Sequence, residues 1–303
     1  DKTRDEYSRH ISKELLNKHH WGDIPVSEFT SQHVREVLNH KAFEEGFVTA
    51  ANRLRSTIST VFSFGLKHVG INLDKNPVEN TPVFDRGENV RDRVYSDAEI
   101  RELWDFWETK SEPIQSLYKI LLLTGQRRTE TIQMEWSEIN WNAPCKRIKI
   151  GDDGKPKQEA FWADMWTIPK EKAKNNQENA VPLSGMVKSI LEKLKPITGE
   201  SKWVFESPRK KGQPLDNVEG TTNKIKKTII PDFRIHDLRR TMATKLEEIL
   251  VDGMVIKKIL NHTIKGVTGK HYQWYDYADK KLEALNRWAL RVDSITSETK
   301  NTN

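Results

Sequence analysis

The feature that most constrains the fold is a polar, interrupted stretch at residues 78–94, which separates two parts with well-patterned apolar residues. Asn76-Pro77 closes the first part. Ser96-Asp-Ala-Glu99 opens the second part as a capping box, in which serine and glutamate satisfy the free amides of a helix start. A chain of 303 residues is long enough for two domains. The predicted division is a first domain at 1–85, a linker at 86–94, a second domain at 95–292 and a disordered tail at 293–303.

The first domain is predicted to be small and helical. Between Gly46 and Leu66, apolar residues recur at helical spacing and form one face. Gly65 and Gly70 weaken the end of that helix.

The second domain is predicted to be larger, mainly helical, with a small antiparallel sheet. Helices are expected after Ser96 and near Pro113, the latter ending at Gly125. The strand candidates are 147–150, 161–168 and 180–183, with a turn at 151–154 between the first two. Later helices are expected at 185–194, 218–228, 237–249, 254–260 and 278–292. The strands do not alternate with helices, so the fold class is α+β.

The charge distribution favours an anionic partner for the second domain. The net charge is +6, of which residues 1–85 contribute −1 and the remainder +7. No apolar run approaches the roughly 18 residues of a membrane helix, and the polar start is unlike a signal peptide. The single Cys145 excludes an internal disulfide framework and fits a reducing cytoplasm. The first residue is not Met, which indicates a piece of a longer protein.

Two arginine clusters are candidate phosphate-binding groups, because two separated guanidinium forks can clamp one phosphate. In Thr124-Gly-Gln-Arg127-Arg128-Thr-Glu130, Arg127 is the candidate and Glu130 its support; an ordinary surface salt bridge is the alternative. His236-Asp-Leu-Arg239-Arg240 opens a helix, so His236 and Arg239 share a face near free amides that favour phosphate. A capping histidine followed by solvated arginines is the alternative there, and Arg240 can contact phosphate or a carboxylate.

Further candidates are less specific when taken alone. His262 follows an apolar helix, where a structural histidine is common. Tyr272, Tyr275 and Tyr277 lie close together, and at least two of them are expected to be packing residues. Lys174 lies in a polar turn, with Lys170 and Lys172 as competitors. The sequence has neither a His-Glu-x-x-His motif nor a Walker loop, so chemistry without metal, nucleotide or other cofactor is expected.

The ordered set Arg127, Lys174, His236-x-x-Arg239, His262, Tyr272 resembles the tyrosine recombinase, or phage integrase, family, and most closely its satellite-phage and genomic-island members. Residues 1–85 are similar to its core-binding, DNA-binding domain, and 92–292 to its catalytic domain. The contexts Thr124-Gly125 and Val181-Pro-Leu-Ser184 add to the likeness.

The resemblance implies a role for each residue of the set. Arg127 and Arg239 would bind the non-bridging oxygens of the scissile phosphate, with Glu130 in support. His236 would help take the phenol proton and His262 would hydrogen-bond the phosphate. Lys174 would protonate the leaving 5′-hydroxyl, and Tyr272 would be the nucleophile that forms a 3′-phosphotyrosyl link.

Some points of the resemblance leave alternatives. Tyr275 is the second choice of nucleophile after Tyr272, whose context His-Tyr-Gln-Trp-Tyr-Asp-Tyr resembles that of island integrases. Asn261 stands where the family usually has glycine, which puts the backbone before His262 in question. Lys155 and Lys157 in the charged turn are candidate DNA contacts, together with Arg128 and Arg240. The final helix, 278–292, packs either on a neighbouring subunit or on its own domain.

The implied function is site-specific DNA recombination that integrates or excises a mobile element without metal or ATP. The implied partners are double-stranded attachment sites, a homotetramer on DNA, and host DNA-bending and excision proteins, all in the bacterial cytoplasm with no membrane. An amino-terminal arm-binding domain, found in many family members, is expected to precede residue 1. The alternatives are type IB topoisomerase-like relaxation, a non-catalytic DNA-binding protein on this fold, and a metal-dependent nuclease.

Overall fold

The chain forms two compact units, Asp1–Arg91 and Asp92–Asn303. The computed structural model describes residues 2–85, 91–263 and 277–297. The division between the units falls inside the segment 86–94 that the sequence predicts as a linker. Each unit has a hydrophobic core of its own.

The first unit is helical in its described part. Its α-helices are α1 (Lys2–Arg9), α2 (Ser31–Asn39) and α3 (Val48–Phe64). Each continues into a wider π-helical segment, at His10–Lys18, His40–Glu44 and Gly65–Val69 respectively. Single 3₁₀ turns lie at Trp21–Asp23 and Val26–Glu28. The helix predicted from the apolar pattern between Gly46 and Leu66 is therefore confirmed as α3 and its continuation.

The end of the first unit is tied back to α3 by two asparagines. Asn76 Nδ2 donates to the Ser59 carbonyl and to Ser63 Oγ, each at 2.8 Å. Asn52 Nδ2 donates to the Phe84 carbonyl at 2.9 Å, and the Phe84 amide donates back to Asn52 Oδ1 at 3.0 Å. The polar residues after Asn76 thus belong to the first unit as far as Phe84.

The second unit is built largely from helices. They are α4 (Asp97–Glu108), α5 (Ile114–Thr124), α6 (Arg128–Ile132), α7 (Gly185–Thr198), α8 (Glu219–Thr228), α9 (Ile235–Glu248), α10 (Gly253–Ile259) and α11 (Ala278–Ser297). The predicted capping box at the start of α4 is confirmed: the Glu99 amide donates to Ser96 Oγ, and the Ser96 amide donates to the Glu99 carboxylate. Helix α5 is buried along nearly its whole length, which makes it the central element of the core.

A three-stranded antiparallel sheet packs beside these helices, with strand order β1-β2-β3. The strands are β1 (Ile139–Ile150), β2 (Pro156–Ile168) and β3 (Asn179–Pro182). Strand β1 begins eight residues before the predicted strand because a bulge between Asn140 and Ala143, with Asn142 at φ 64°, breaks the alternation that marks a strand. A short hairpin, β4 (Glu206–Ser207) and β5 (Lys210–Pro214), was absent from the prediction because it is polar and largely exposed. The predicted α+β class is confirmed.

Helix α11 packs on its own unit. Leu285, Trp288 and Val292 lie in the core, and Trp288 Nε1 donates to the Leu122 carbonyl at 3.0 Å. The prediction of a disordered tail from residue 293 is wrong for 293–297, because Ile295 lies one turn after Val292, extends the same apolar face and is 2% exposed. Residues 298–303 of that predicted tail lie outside the described residues.

Candidate active site

A pocket of about 580 Å³ opens in the second unit, and predicted catalytic side chains line it. Arg127 comes from the α5–α6 connection, Lys174 from the β2–β3 loop, and His236 and Arg239 from the start of α9. Residues far apart in sequence therefore meet at one surface. The cationic groups Arg128, Lys226 and Arg234 also line this pocket.

The turn at Gly125 brings the first arginine cluster into the pocket. Gly125 ends α5 with φ 62°, a backbone conformation that residues other than glycine rarely adopt. A Cβ at this position would lie 2.5 Å from Met242 Sδ and 3.2 Å from Leu260 Cδ2. Glycine therefore suits this turn close against α9 and the end of α10, since a larger residue would be strained by the positive φ and would displace Met242.

Glu130 orients Arg127 at the start of α6 by accepting from both its backbone and its side chain. The Arg127 amide donates to Glu130 Oε2 at 3.3 Å, and Arg127 Nη1 donates to Glu130 Oε1 at 2.9 Å. Glu130 is 2% exposed and also accepts from the Lys174 amide at 3.2 Å. One buried carboxylate thus joins Arg127 to the loop that carries Lys174.

Arg239 lies on the buried face of α9 and joins two helix ends. Its Nη1 donates to the Gly125 carbonyl at 2.7 Å, and its Nη2 donates to the Leu260 carbonyl. These carbonyls follow α5 and α10, where the end of a helix leaves acceptors free and favours a positive charge. The guanidinium is therefore held by carbonyl oxygens in a fixed orientation.

The charge of Arg239 is poorly compensated. The residue is 5% exposed, and within the described ranges no carboxylate forms an ion pair with it. Burial first, and then the charge of Arg127, lower the pKa of Arg239 to about 10, while Glu130 acts in the opposite direction. A buried cation without an opposite charge is costly, so this arrangement favours an anion in the pocket.

The two histidines experience the same positive field. Both are exposed to solvent, yet incomplete hydration and then the charges of Arg239 and other cations lower the pKa of His236 and of His262. The cationic neighbours that act on both rings include Arg127. His262 is not among the residues that line the pocket, but it lies close enough for Arg239 and His236 to act on it.

The structure separates Lys174 from the two lysines that compete with it. Lys172 donates to the Glu135 carboxylate at 2.7 Å and also to the Glu138 carboxylate. Lys170 is exposed and lies 4.0 Å from Glu171. Lys174 alone of the three lines the pocket. Carboxylates therefore occupy Lys172, and position in the fold separates Lys170 from Lys174.

The predicted DNA contacts lie in two places. Arg128 lines the pocket, whereas Arg240 Nη1 donates to Asp237 Oδ1 at 2.6 Å. Lys155 lies in the exposed turn between β1 and β2, and Lys157 lies at the exposed start of β2, with its Nζ 3.5 Å from Asp153 Oδ2. Arg240 is therefore engaged with a carboxylate, the second of the two contacts foreseen for it.

Sequence reasoning missed one wall of the pocket. It consists of Arg234 and of α8 residues on one face: Glu219, Thr222, Asn223 and Lys226. The signal was available, because these four α8 residues have the spacing i, i+3, i+4 and i+7, and all are polar. The helix was predicted, but its polar face was not connected with the arginines.

Some candidates and some ligand types remain to be placed. The candidate nucleophiles Tyr272 and Tyr275 lie outside the described residues. Within the described ranges, no group of three or more histidine, cysteine, aspartate or glutamate residues could hold a metal ion. The helices described there include none long and apolar enough to cross a membrane.

Comparison with known proteins decides the family. Residues 93–278, which include every predicted catalytic position, match the phage integrase family. The chain belongs to the phage integrase family. The resemblance stated from the sequence motifs is therefore confirmed.

Two curated relatives of this integrase-family chain are a prophage integrase and a phage integrase. Prophage integrase IntF of Escherichia coli K12 is 25% identical over 287 residues, which are 90% of this chain and 56% of the relative. The integrase of Salmonella phage P22 is 27% identical over 199 residues, covering 62% of this chain and 44% of the relative. The chain thus spans about half the length of these curated relatives.

Solved structures share the fold. A lambda integrase dimer bound to a COC′ core site matches with a TM-score of 0.62 at 20% identity, covering 87% of this chain and 89% of that one. The site-specific recombinase XerH, bound to a palindromic difH substrate, matches with a TM-score of 0.59 at 14% identity, covering 97% and 79%. At these identities the likeness concerns the fold.

Proposed function

We propose that the protein is a site-specific DNA recombinase that integrates or excises a mobile element through a 3′-phosphotyrosyl intermediate. Membership of the phage integrase family supports this proposal. The observation that carries it is the buried guanidinium of Arg239, which is fixed by two carbonyls and faces a pocket lined by further cations. A phosphodiester would supply the opposite charge that Arg239 lacks among the described residues.

Each step of the proposed cleavage has a group to perform it. The phenolic oxygen of Tyr272 attacks the phosphorus, the P–O5′ bond breaks and a P–O bond to tyrosine forms. The phenol proton passes towards His236, and Lys174 gives a proton to the departing O5′. Arg127 and Arg239 stabilise the charge that accumulates on the non-bridging oxygens, and His262 donates to one of them. Religation reverses these steps, so no ATP is consumed.

The proposed partners are two double-stranded attachment sites and three further copies of the protein. Solved relatives include a lambda integrase dimer bound to a core site and a lambda integrase tetramer bound to a Holliday junction. The first unit would bind the DNA core, and Arg128, Arg240, Lys155 and Lys157 would contact the phosphate backbone. Host bending and excision proteins would assist the reaction in the bacterial cytoplasm, where its DNA lies.

A nicked suicide substrate tests the proposed function. Its sequence is taken from the junctions between the mobile element that carries the gene and the adjoining chromosome. The nick lets the short 5′-hydroxyl fragment diffuse away after cleavage, so the covalent complex accumulates and migrates slowly in a denaturing gel. We expect this band with the wild-type protein in EDTA and with Tyr275→Phe, and its loss in Tyr272→Phe.

The other outcomes are distinct. Loss only in Tyr275→Phe would move the nucleophile and retain the reaction. If no variant forms a covalent complex while DNA binding is intact, the proposed activity is wrong. Cleavage that requires a metal ion and leaves no protein on the DNA would identify a nuclease.

A further inference from the structure

An amide pair connects the loop that carries Lys174 to the turn that precedes His262. Asn175 Nδ2 donates to Asn261 Oδ1 at 3.1 Å, and Asn261 Nδ2 donates to Asn175 Oδ1 at 3.2 Å. Asn175 Nδ2 also lies 2.9 Å from the Asn261 carbonyl, and Asn261 Nδ2 lies 2.8 Å from the Gln177 carbonyl. We call this reciprocal pair, Asn175 and Asn261, the amide latch.

The backbone at Asn261 explains how a side chain can occupy this position. Asn261 has φ 49°, in the left-handed region where glycine is favoured and asparagine is the best tolerated of the larger residues. The departure from the glycine usual in the family therefore preserves the turn before His262. It also adds an amide, and that amide reaches across to the β2–β3 loop.

The turn is the fixed side of the latch, because other groups hold it independently. Arg239 donates to the Leu260 carbonyl. Gln126 Nε2 and Asn179 Nδ2 donate to the Ile259 carbonyl at 3.0 and 3.2 Å. Gln126 and Asn179 are buried and bonded to each other at 3.1 Å, so this network would remain without the latch.

The loop is the side that depends on the latch. It is exposed at Lys174 and again from Asn176 to Glu178. The Gln177 amide donates to Asn175 Oδ1 at 3.2 Å and the Gln177 carbonyl accepts from Asn261 Nδ2, so two of the backbone contacts here run through the latch, beside the Asn176 amide's bond to the Ala173 carbonyl. Before Lys174 it is anchored through Lys172, and among the described residues the one hydrogen bond of Lys174 outside its own loop is from its backbone amide to Glu130. Asn175 is the neighbour of Lys174 in the chain, so its fixation limits where the ammonium group can reach.

We propose that the amide latch positions Lys174 for proton transfer to the leaving O5′, which makes Asn175 and Asn261 positioning residues of this active site. The inference rests on the recombinase function proposed above. In that step the P–O5′ bond breaks while a proton moves from Lys174 Nζ to O5′. A misplaced ammonium would leave an unprotonated alkoxide, which is a poor leaving group.

A substrate with sulfur in place of the bridging O5′ distinguishes positioning of the acid from other roles. A thiolate leaves readily without a proton, so this substrate does not need the lysine. The variants are Asn175→Ala, which removes one amide, and Asn261→Gly, which retains the left-handed backbone. Lys174→Ala reports complete loss of the acid. Gln177→Ala is the matched control, because it removes a side-chain amide from the same loop and keeps the backbone carbonyl and amide through which residue 177 contacts the latch.

On the oxygen substrate, we expect single-turnover cleavage by Asn175→Ala and Asn261→Gly to slow by roughly 10- to 100-fold, as a displaced catalytic group would cause. Lys174→Ala should slow by about 10²- to 10⁴-fold. On the sulfur substrate all three should return close to the wild-type rate, and Gln177→Ala should match the wild type on both.

The latch proposal is wrong if the two variants are equally slow on both substrates, or if neither is slow on the oxygen substrate. Thermal melting of each variant identifies a folding defect, and two variants on opposite sides of the latch keep the test valid if one fails to fold. Absence of cleavage by the wild type on both substrates would instead reject the recombinase function itself.

Discussion

Two positively charged side chains in the second unit, Lys172 and Arg239, have partners of different kinds. Lys172 is surrounded by acceptors: the Gln133 carbonyl at 2.8 Å and the carboxylates of Glu135 and Glu138. Arg239 is more deeply buried, at 5% exposure, yet within the described residues its hydrogen-bond partners are carbonyl oxygens alone. We call Lys172 with Glu135 and Glu138 the lysine cluster, and the pocket lined by Arg127 and Arg239 the arginine pocket.

The difference separates a structural role from a ligand-binding role. In the lysine cluster, partial burial would raise the pKa of Glu135, but hydrogen bonds from Lys172 and Lys202 outweigh that effect and the pKa is lowered. In the arginine pocket, burial and a second arginine both lower the pKa of Arg239. The positive charge of the lysine cluster is neutralised by carboxylates, whereas the arginine pocket would be stabilised more by binding an anion.

The largest expected effect is on cleavage by Arg239→Met. Loss of the guanidinium should slow single-turnover cleavage by about 10³- to 10⁵-fold, the range known for arginines that stabilise phosphoryl transfer. The free energy of unfolding should change by only about 1–2 kcal/mol, because two unpaired carbonyls are offset by removal of a buried charge. Denaturant titration and the suicide substrate measure the two quantities.

A matched control for this variant is Arg287→Met. Arg287 also donates to a carbonyl that follows a helix, that of Ile249, but it is exposed and lies outside the pocket. It should cleave like the wild type. An Arg239→Met protein that cleaves within tenfold of the wild type would remove the distinction between the pocket and the cluster.

A second, smaller effect is on the stability of Lys172→Met. Its removal leaves Glu135 and Glu138 mostly buried without their main cation, so the free energy of unfolding should fall by about 1–3 kcal/mol. Lys170→Met, at an exposed position of the same loop, should change it by no more than about 0.5 kcal/mol. Chemical denaturation compares them, and a Lys172→Met protein as stable as the wild type would contradict a structural role for the cluster.

The sequence predicted the parts of the site that depend on short-range spacing. His236 and Arg239 are three residues apart within α9, and Arg127 precedes α6 three residues before Glu130, so local helix geometry brings each pair together. The motif order, through its resemblance to a known family, then supplied the expectation that these pairs meet. The structure brings Arg127, His236 and Arg239 to one pocket, although the roles assigned to them remain predictions.

The sequence could not decide matters that depend on long-range partners. Lys170, Lys172 and Lys174 are equivalent by spacing, but Lys172 binds Glu135 and Glu138, more than thirty residues earlier, and Lys174 rather than Lys170 lines the pocket. The amide latch likewise joins positions 86 residues apart. Local pattern also failed at β1, where the bulge hides the strand, and at residues 293–297, where polar composition hides one buried isoleucine.

The smallest predicted effect is on proton binding, and it separates the pocket from the cluster by pH. The pKa of His236 and of His262 lies below the ordinary 6.5, so the unfolded chain binds more protons and these rings cost stability as pH falls through 6.5. The lowered pKa of Glu135 acts at lower pH, where stability is lost as the pH falls below the ordinary glutamate pKa of 4.5.

Nuclear magnetic resonance titration of the histidine ring protons tests why the pKa values of His236 and His262 are lowered. In the wild type, His236 and His262 should titrate below pH 6.5. In Arg239→Met the pKa of both rings should rise, because the charge of Arg239 is the largest cationic influence on each ring. His10 and His19 serve as internal controls: burial is the largest cause of their lowered pKa values, and Arg239 is not among the causes. If the pKa values of all four histidines shift together, the variant has altered the whole fold. If none shifts, the arginine pocket does not exert the electrostatic field that distinguishes it from the lysine cluster.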